Sequence, residues 1–482
     1  MTCGVRVSRW PTRGIVLGTA LLLLLPRVAA AHLGLSSSTP ANGAQLAVAP
    51  RDFRLTFTEA VERTVARVRL VGPNGAEIRI SALRQPSDSA QVMLADILGP
   101  LEPGAYTIEW QVIGADGHPV RGTVAFVIAA GATGLAEPAP AEHHDAEVMP
   151  TGAGFGADSL GYVVVRWLQF TALLIAIGVV TFRFAVLRFL GRTEEDSTVL
   201  TSMRDGAAVV GLWAATALVV TVLLRLYAQA LAMHGPQEAF NMGFIGTMLM
   251  STMWGWAWFL QAVAAIVAVI AFGMARRGRS TGWRLALLAC LALAVTPALS
   301  GHAVATPDLG GLAVTADTLH VIGSAGWLGS LLLVLAVGVP VAMRLGEGRR
   351  GPAVARLVNA FSPTALFFAG LAAVTGVFAG WLHIGFSSAL WESDYGRTLL
   401  IKLAILSVAL GTGAYNWLRV KPRLGDEVGT RRIRRSALVE LAVAVLVVLV
   451  TAVLVATPPP MDMDMEVGTS VQPGLSATAE AP

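Results

Sequence analysis

Cysteine is nearly absent from this chain of 482 residues: there are two, Cys3 and Cys290. Cys3 lies in an N-terminal segment that reads as removable, and Cys290 sits in an apolar run, where a lone thiol packs as a small hydrophobe. A disulfide within the mature chain and a dithiol electron carrier are both excluded. Charge is scarce too, at 14% against the roughly 25% of ordinary soluble domains. With 55% hydrophobic residues, disorder, coiled coil and a disulfide scaffold are ruled out. A real excess of positive charge is also missing. Arg6, Arg9, Arg13 and Arg27 account for the formal +4, and beyond residue 31 there are 31 basic residues against 31 acidic ones. Nucleic acid therefore finds no electrostatic footprint. Without a G-x-x-x-x-G-K-[ST] loop or an Asp-Lys-Thr-Gly-Thr phosphorylation sequence, nucleotide hydrolysis is not expected either.

What is present divides the chain into five parts. Residues 1–31 have a basic start, an apolar stretch from Gly14 to Leu25 and an Ala29-x-Ala31 end, the pattern of a cleaved signal peptide. Cleavage there makes His32 the first mature residue. Residues 32–129 alternate polar with apolar in short runs beginning near Arg54, Ala66, Ala76, Tyr106 and Thr123, punctuated by Pro73-Asn74-Gly75, Pro103-Gly104 and Asp116-Gly117-His118-Pro119. Such spacing predicts an all-β antiparallel sandwich. Residues 130–158, rich in Ala, Gly, Pro and acids, read as a flexible linker.

Residues 159–457 read as an α-helical polytopic membrane domain. Eight apolar spans are expected, at about 162–190, 207–233, 244–273, 283–300, 314–343, 359–383, 396–418 and 436–457. The loops after spans 1, 3, 5 and 7, taken with Arg183, Arg188 and Arg284 at the adjoining span ends, hold 19 Lys and Arg, and the even-numbered loops and the 458–482 tail hold none. By the positive-inside rule the β domain and the tail face away from the cytoplasm, as in a plasma (inner) membrane protein with a periplasmic N-terminal domain.

All eight histidines fall on that outer side: His32, His118, His143, His144, His234, His302, His320 and His383. Met233, Met242, Met248, Met250 and Met253 gather at the outer ends of spans 2 and 3, and Met461, Met463 and Met465 form an M-D-M-D-M tail. Imidazole and carboxylate suit Cu(II) and thioether suits Cu(I), so donors of these kinds without thiolate are a set fitted to copper. His32 offers a ring nitrogen and a free α-amine, and Asp116 and His118 add a carboxylate and an imidazole on one turn. If that turn meets the N-terminus, the three residues make an N₃O site. Asp317 and His320 are three apart and share a helix face. At similar depth to His302 and His383, they make a candidate membrane copper site. Met248, Met250, Met253, Met461, Met463 and Met465 are weaker candidates. Arg225 is an intramembrane charge of open role, and Lys402 could extend outward to the interface.

His32, Ser38-Thr39-Pro40-Ala41-Asn42-Gly43, Leu55-Thr56-Phe57-Thr58-Glu59 and Trp110 to Gly122 resemble the CopC family of periplasmic copper-binding proteins. That resemblance implies an Ig-like Greek-key sandwich with a Cu(II) site at His32, Asp116 and His118. Ser300-Gly301-His302-Ala303, Asp317 to His320, Gly326-Trp327-Leu328-Gly329, Tyr395-Gly396-Arg397 with Lys402, and Asn416 with the span from Glu440 resemble the partner family CopD. The whole chain is similar to a CopC–CopD fusion of the YcnJ type. The expected role is a binding and transport protein, not an enzyme, that captures Cu(II) outside and mediates copper uptake. Its partners would be copper ions, the bilayer and other periplasmic copper carriers. A b-type haem membrane protein that reduces copper, and a copper-tolerance or sensing protein without transport, stay open as alternatives.

Overall fold

The computed structural model of the chain describes residues 33–87, 89–114, 119–129, 159–194, 196–305, 309–384, 388–420 and 427–457. The side chains of residues 302, 305, 383, 420 and 427–437 lie outside the described residues.

Among the described residues eight strands come first along the chain: β1 (Leu35–Thr39), β2 (Ala44–Leu46), β3 (Asp52–Phe57), β4 (Arg67–Val71), β5 (Glu77–Ile78), β6 (Val92–Asp96), β7 (Gly104–Ile113) and β8 (Pro119–Ile128). A period of two sends alternate side chains to one face. Phe53, Leu55 and Phe57 of β3 are buried for that reason, with Tyr106, Ile108, Trp110 and Val112 of β7 and Val124, Phe126 and Ile128 of β8. Two sheets, ordered β1-β3-β6 and β2-β8-β7-β4-β5, close on this one core. Phe57 meets Trp110 edge-on at 5.3 Å, and Tyr106 stacks on Phe126 at 5.4 Å. Gly122 faces Trp110 across the β7–β8 ladder, where an added Cβ would stand 2.3 Å from the indole. No other residue fits there without moving the ring.

The pairing departs from an all-antiparallel sandwich at one place. β2 lies parallel to β8, with Ala44–Leu46 beside Phe126–Ile128. The chain leaves the first sheet after β1 and is pinned to the edge of β8 by Asn42, which accepts from Ala125 N–H at 2.9 Å, and by Gly43 N–H to Ala125 O at 2.7 Å. A crossing between sheets, not a hairpin, sets that direction.

Helices follow: α1 (Leu160–Leu190), α2 (Ser197–His234), α3 (Met242–Ser251), α4 (Met253–Arg276), α5 (Ser280–Leu299), α6 (Gly310–Met343), α7 (Arg350–Ile384), α8 (Asp394–Arg419) and α9 (Glu427–Leu454). Among the described residues seven are long and apolar enough to cross a membrane, α3 and α9 being the exceptions. In α9 the apolar part, Leu438–Leu454, is shorter than the others. The third expected span, 244–273, is two helices. Thr252 is extended (φ −121°, ψ 151°), and its hydroxyl caps α4 by accepting from Gly255 N–H at 3.0 Å. Gly255 lets the chain fold back closely, since a Cβ there would stand 2.3 Å from Leu249 O.

α1 packs against α2, α5, α6 and α9. Small residues let it approach α6: a Cβ on Gly178 would be 2.3 Å from the Gly329 carbonyl carbon. One end of the bundle carries the arginine-rich connections. There Arg356 pairs with the buried Glu194 at 2.8 Å and Arg349 with Asp196 at 2.8 Å. Asp196 also caps α2, and hydrogen bonds from Thr198 and Arg349 hold its carboxyl down to about 2. The β domain sits at the opposite end, on α2, α3 and α4.

Candidate functional site

The β domain is held to the bundle by polar clamps around an apolar patch. Arg67 of β4 pairs with Glu238 at 3.0 Å, donates to His234 Nδ1 at 3.0 Å and lies 4.7 Å from the centre of the Phe244 ring. His234 stacks on Phe244 at 4.9 Å. From the β7–β8 hairpin, Gln111 donates to Met233 O at 2.8 Å and Arg121 to Ala232 O at 3.1 Å. Val65 and Ile113 are buried in one cluster with Val222, Met233, Met248, Trp254 and Trp258.

These contacts frame the connection that joins β7 to β8. Ile113, at its start, is 1% exposed within that cluster, and Gly114 bridges to Val61. Glu62 donates its N–H to Ile113 O at 2.9 Å, and burial raises its carboxyl above the usual range. Asp116 and His118 belong to the connection itself and lie outside the described residues, as do His32, His143 and His144. Of the described hairpin residues, Gln111, Ile113 and Arg121, which flank that connection, are the ones applied to the bundle.

Trp254 connects that interface to the interior. It belongs to the buried interfacial cluster, its ring centre lies 5.2 Å from the Arg225 guanidinium, and it lines a cavity of 240 Å³ inside the bundle. Asp317 and His320 of α6, Arg166 of α1, Arg225 of α2 and Lys402 of α8 all line the same cavity. Each lies within a few turns of the bundle end that bears the β domain. Arg225 stands nine residues before His234, about 13 Å at 1.5 Å per residue.

His320 is set for a role with a lone pair. Its Nδ1 is 2.9 Å from Ala372 O and 3.3 Å from Thr375 Oγ1. A carbonyl only accepts, so Nδ1 carries the proton and Nε2 of the neutral ring keeps its lone pair. Metal-binding histidines are commonly oriented in this way. Gly376 of α7 makes room for the ring: a Cβ there would stand 2.9 Å from Cε1. Asp317 is close enough to Lys402 and Tyr395 to act on both electrostatically. Lys402 faces this cavity instead of extending to the interface, because Asp317 and the cavity give its ammonium a polar surrounding nearer than the headgroups.

The other expected donors divide. His302 opens a short helix, His302–Ala305, and His383 is the penultimate residue of α7. Their side chains lie outside the described residues, while their neighbours Ala303 and Leu382 share one buried cluster and line the cavity. Met248 is 1% exposed, packed among Val65, Ile113 and Trp254. Met250 is 68% exposed and Met253 44%, and neither reaches the cavity. The break at Thr252 puts Met248 and Met250 on α3 and Met253 at the start of α4. Met461, Met463 and Met465 lie outside the described residues. Among the described residues no three His, Cys, Asp or Glu side chains converge as a metal site.

Apart from Arg225, sequence reasoning missed the second wall of the cavity. Gln261 accepts from Gln169 at 2.6 Å and from Arg225 at 3.4 Å, and donates to Thr296 at 2.8 Å. Arg225 also donates to Ser300 at 2.9 Å. Arg166 lies 4.2 Å from the Tyr162 ring centre, and Tyr162 donates to Gln229. The available signal was polar side chains recurring in apolar spans at equal distance from one membrane face.

Three family comparisons match along the chain. The CopC domain matches residues 35–129, the Copper resistance protein D-like N-terminal domain residues 157–312, and Copper resistance protein D residues 355–454. Copper transport protein CutJ of Bacillus subtilis (strain 168) is 26% identical over 404 residues, 82% of this chain and 70% of that protein. Copper resistance protein C of Pseudomonas syringae pv. tomato is 30% identical over 111 residues, 22% of this chain and 87% of that one. Copper resistance protein D of the same organism is 27% identical over 296 residues, 58% of this chain and 91% of its own length.

Proposed function

The chain belongs to the CopC and CopD families, joined in one polypeptide, and from that premise we propose that it captures Cu(II) outside the cytoplasm and passes copper into the membrane domain for uptake. It is a multi-pass membrane protein that handles copper. In this reading residues 1–31 are removed, and His32 with its amine, Asp116 and His118 hold Cu(II). α9 is the eighth span, and the arginine-rich end faces the cytoplasm.

One observation supports the reading: Gln111, Ile113 and Arg121, which flank the connection of Asp116 and His118 in the sequence, lie against the bundle, and Ile113 shares a buried cluster with Trp254, which lines the cavity of Asp317 and His320. In this reading copper released from the β domain would next meet imidazole and carboxylate at His320 and Asp317. His320 Nε2 supplies the lone pair, and Asp317 supplies negative charge that favours a cation. His302 and His383 would complete the donor set. Oxygen and imidazole donors favour entry as Cu(II).

The test is uptake of radioactive copper by cells or proteoliposomes that contain the full chain. His320→Ala with Asp317→Asn should bring uptake to background while the Cu(II) bound outside, read by its electron-spin spectrum, stays unchanged. Membrane abundance is measured in parallel. Normal uptake by a fully expressed double variant would sink the membrane site.

A further inference from the structure

Near the arginine-rich end of the bundle two guanidinium groups stand together. Arg183 of α1 lies seven residues before Leu190, and Arg204 of α2 lies seven residues after Ser197. Both therefore sit about 10 Å inside their helix ends at 1.5 Å per residue. Arg204 is near enough to Arg183 to act on it electrostatically. Gly211, two turns further along the same face of α2, meets α4: a Cβ there would stand 2.6 Å from the Phe272 ring. Phe272 in turn meets Trp283 of α5 edge-on at 6.1 Å. The Arg183 guanidinium lies 5.7 Å from the centre of that Trp283 ring and 5.4 Å from that of Phe184. Both arginines are half-buried, and the Nε–H of each is enclosed with no hydrogen-bond partner among the described residues. The described acids of the α1–α2 connection are engaged elsewhere, Glu194 with Arg356 and Asp196 with Arg349. Asp205, beside Arg204 in sequence, is exposed, and successive residues leave a helix in different directions.

We propose that Arg183 and Arg204 form a binding site for a phosphate group, carried by a lipid headgroup or supplied as free phosphate. A guanidinium stays charged in proteins, so the two cannot relieve their repulsion by losing a proton. A phosphate between them turns that repulsion into charge-assisted contacts, its oxygens accepting from the Nε and Nη groups of both residues. The enclosed N–H donors then gain the partners that burial otherwise denies them. Trp283 and Phe184 attract the Arg183 fork through their rings but offer no oxygen acceptor to it. The helix itself is altered at this point. Phe182–Val186 forms a π turn, a local widening of α1 that is frequent at functional sites, and Arg183 is its second residue. Neither arginine lines the His320 cavity, and the site lies at the bundle end opposite the β domain. It stands apart from the copper reading.

The probes are phosphatidylglycerol, diacylglycerol of the same chains as a lipid without phosphate, and inorganic phosphate. Each is added to the purified, delipidated full chain in detergent and followed by native mass spectrometry and thermal unfolding. Wild type should bind phosphatidylglycerol and unfold at a higher temperature with it, and diacylglycerol should do neither. Arg183→Gln and Arg204→Gln should each weaken binding by about tenfold or more, as expected for loss of charge-assisted hydrogen bonds. Arg277→Gln, which removes an exposed arginine at the same end, should leave binding unchanged. In lipid-free protein Arg204→Gln should unfold at a higher temperature than wild type, because one of two facing charges is gone. A damaged bundle would not show that gain. Inorganic phosphate that binds wild type and is lost in the same variants marks a site for the free anion as well. Phosphatidylglycerol binding without it marks the headgroup as the source. No binding of either phosphate by folded wild type, or binding that ignores both arginines, would overturn the site. So would an equal loss in Arg277→Gln, which would mean a general basic surface.

Discussion

The two halves of this protein place polar groups in opposite ways. In the β domain apolar side chains fill the middle, and ion pairs such as Arg69–Glu109 and Arg84–Asp96 lie at the exposed surface. In the helical domain Trp213, Leu223, Phe259 and Leu288 face outward, and Arg166, Gln169, Arg225, Gln229 and Gln261 are buried. Water surrounds one and hydrocarbon the other, so the free energy of burial changes sign for the outer shell. The inside of the membrane half then needs a reason to be polar. Passage of a charged species would supply one. Between the two halves lies the Arg67, Gln111 and Arg121 interface, where polar clamps and an apolar cluster occur together.

Substitutions can break that comparison at graded strength. Trp110→Ala empties the centre of the β domain, above Gly122 and against Phe57. It should cost about 3–5 kcal/mol, seen as loss of outer Cu(II) binding and as protease cutting within 33–129. In the membrane half the packing beside His320 can be tested by adding atoms. Gly376→Val crowds the His320 ring and, at about 1–3 kcal/mol of overpacking, should lower copper uptake several-fold with the protein still in the membrane. Normal uptake by that variant would show that the ring position is not needed.

Arg67→Ala tests the contact between the halves. The pair with Glu238 and the contact with Phe244 are half-exposed, so the loss should be about 1 kcal/mol. Cross-linking between β4 and the segment around Glu238 should fall, and uptake should drop at low copper but recover at high copper. Arg69→Ala removes an exposed pair on a neighbouring position of the same strand. A change within about 0.5 kcal/mol and unaltered uptake are expected, measured by thermal unfolding and the same uptake assay. If Arg69→Ala matches Arg67→Ala, docking is not what Arg67 contributes.

Much of the architecture was legible along the chain because it depends on periodicity. Alternation with period two marked β3, β4, β7 and β8, and long apolar runs marked α1, α2 and α4 to α8, since each pattern reflects local geometry against one kind of solvent. The β7–β8 connection with Asp116 and His118, and Asp317 with His320, stood out because ionisable donors recur at short spacing there. The parallel course of β2 was not readable: Asn42 and Gly43 find Ala125 some 80 residues away, and local pattern carries no such pairing. The break at Thr252 was hidden inside an apolar run whose composition suits one helix as well as two.

By itself, then, the sequence determined which residues avoid water, where the chain meets hydrocarbon and which donor types lie near one face. Those properties are set residue by residue, or over one or two turns. Tertiary structure alone decided that Gln111 and Arg121 fasten the β domain to α2, and that Met248 packs at the interface rather than serving the cavity. It also decided that Arg166, Arg225, Asp317, His320 and Lys402, drawn from four helices, share a single space. Helix spacing places a side chain on a face, but which faces converge depends on packing contacts such as Gly178 against Gly329 that bring distant spans together.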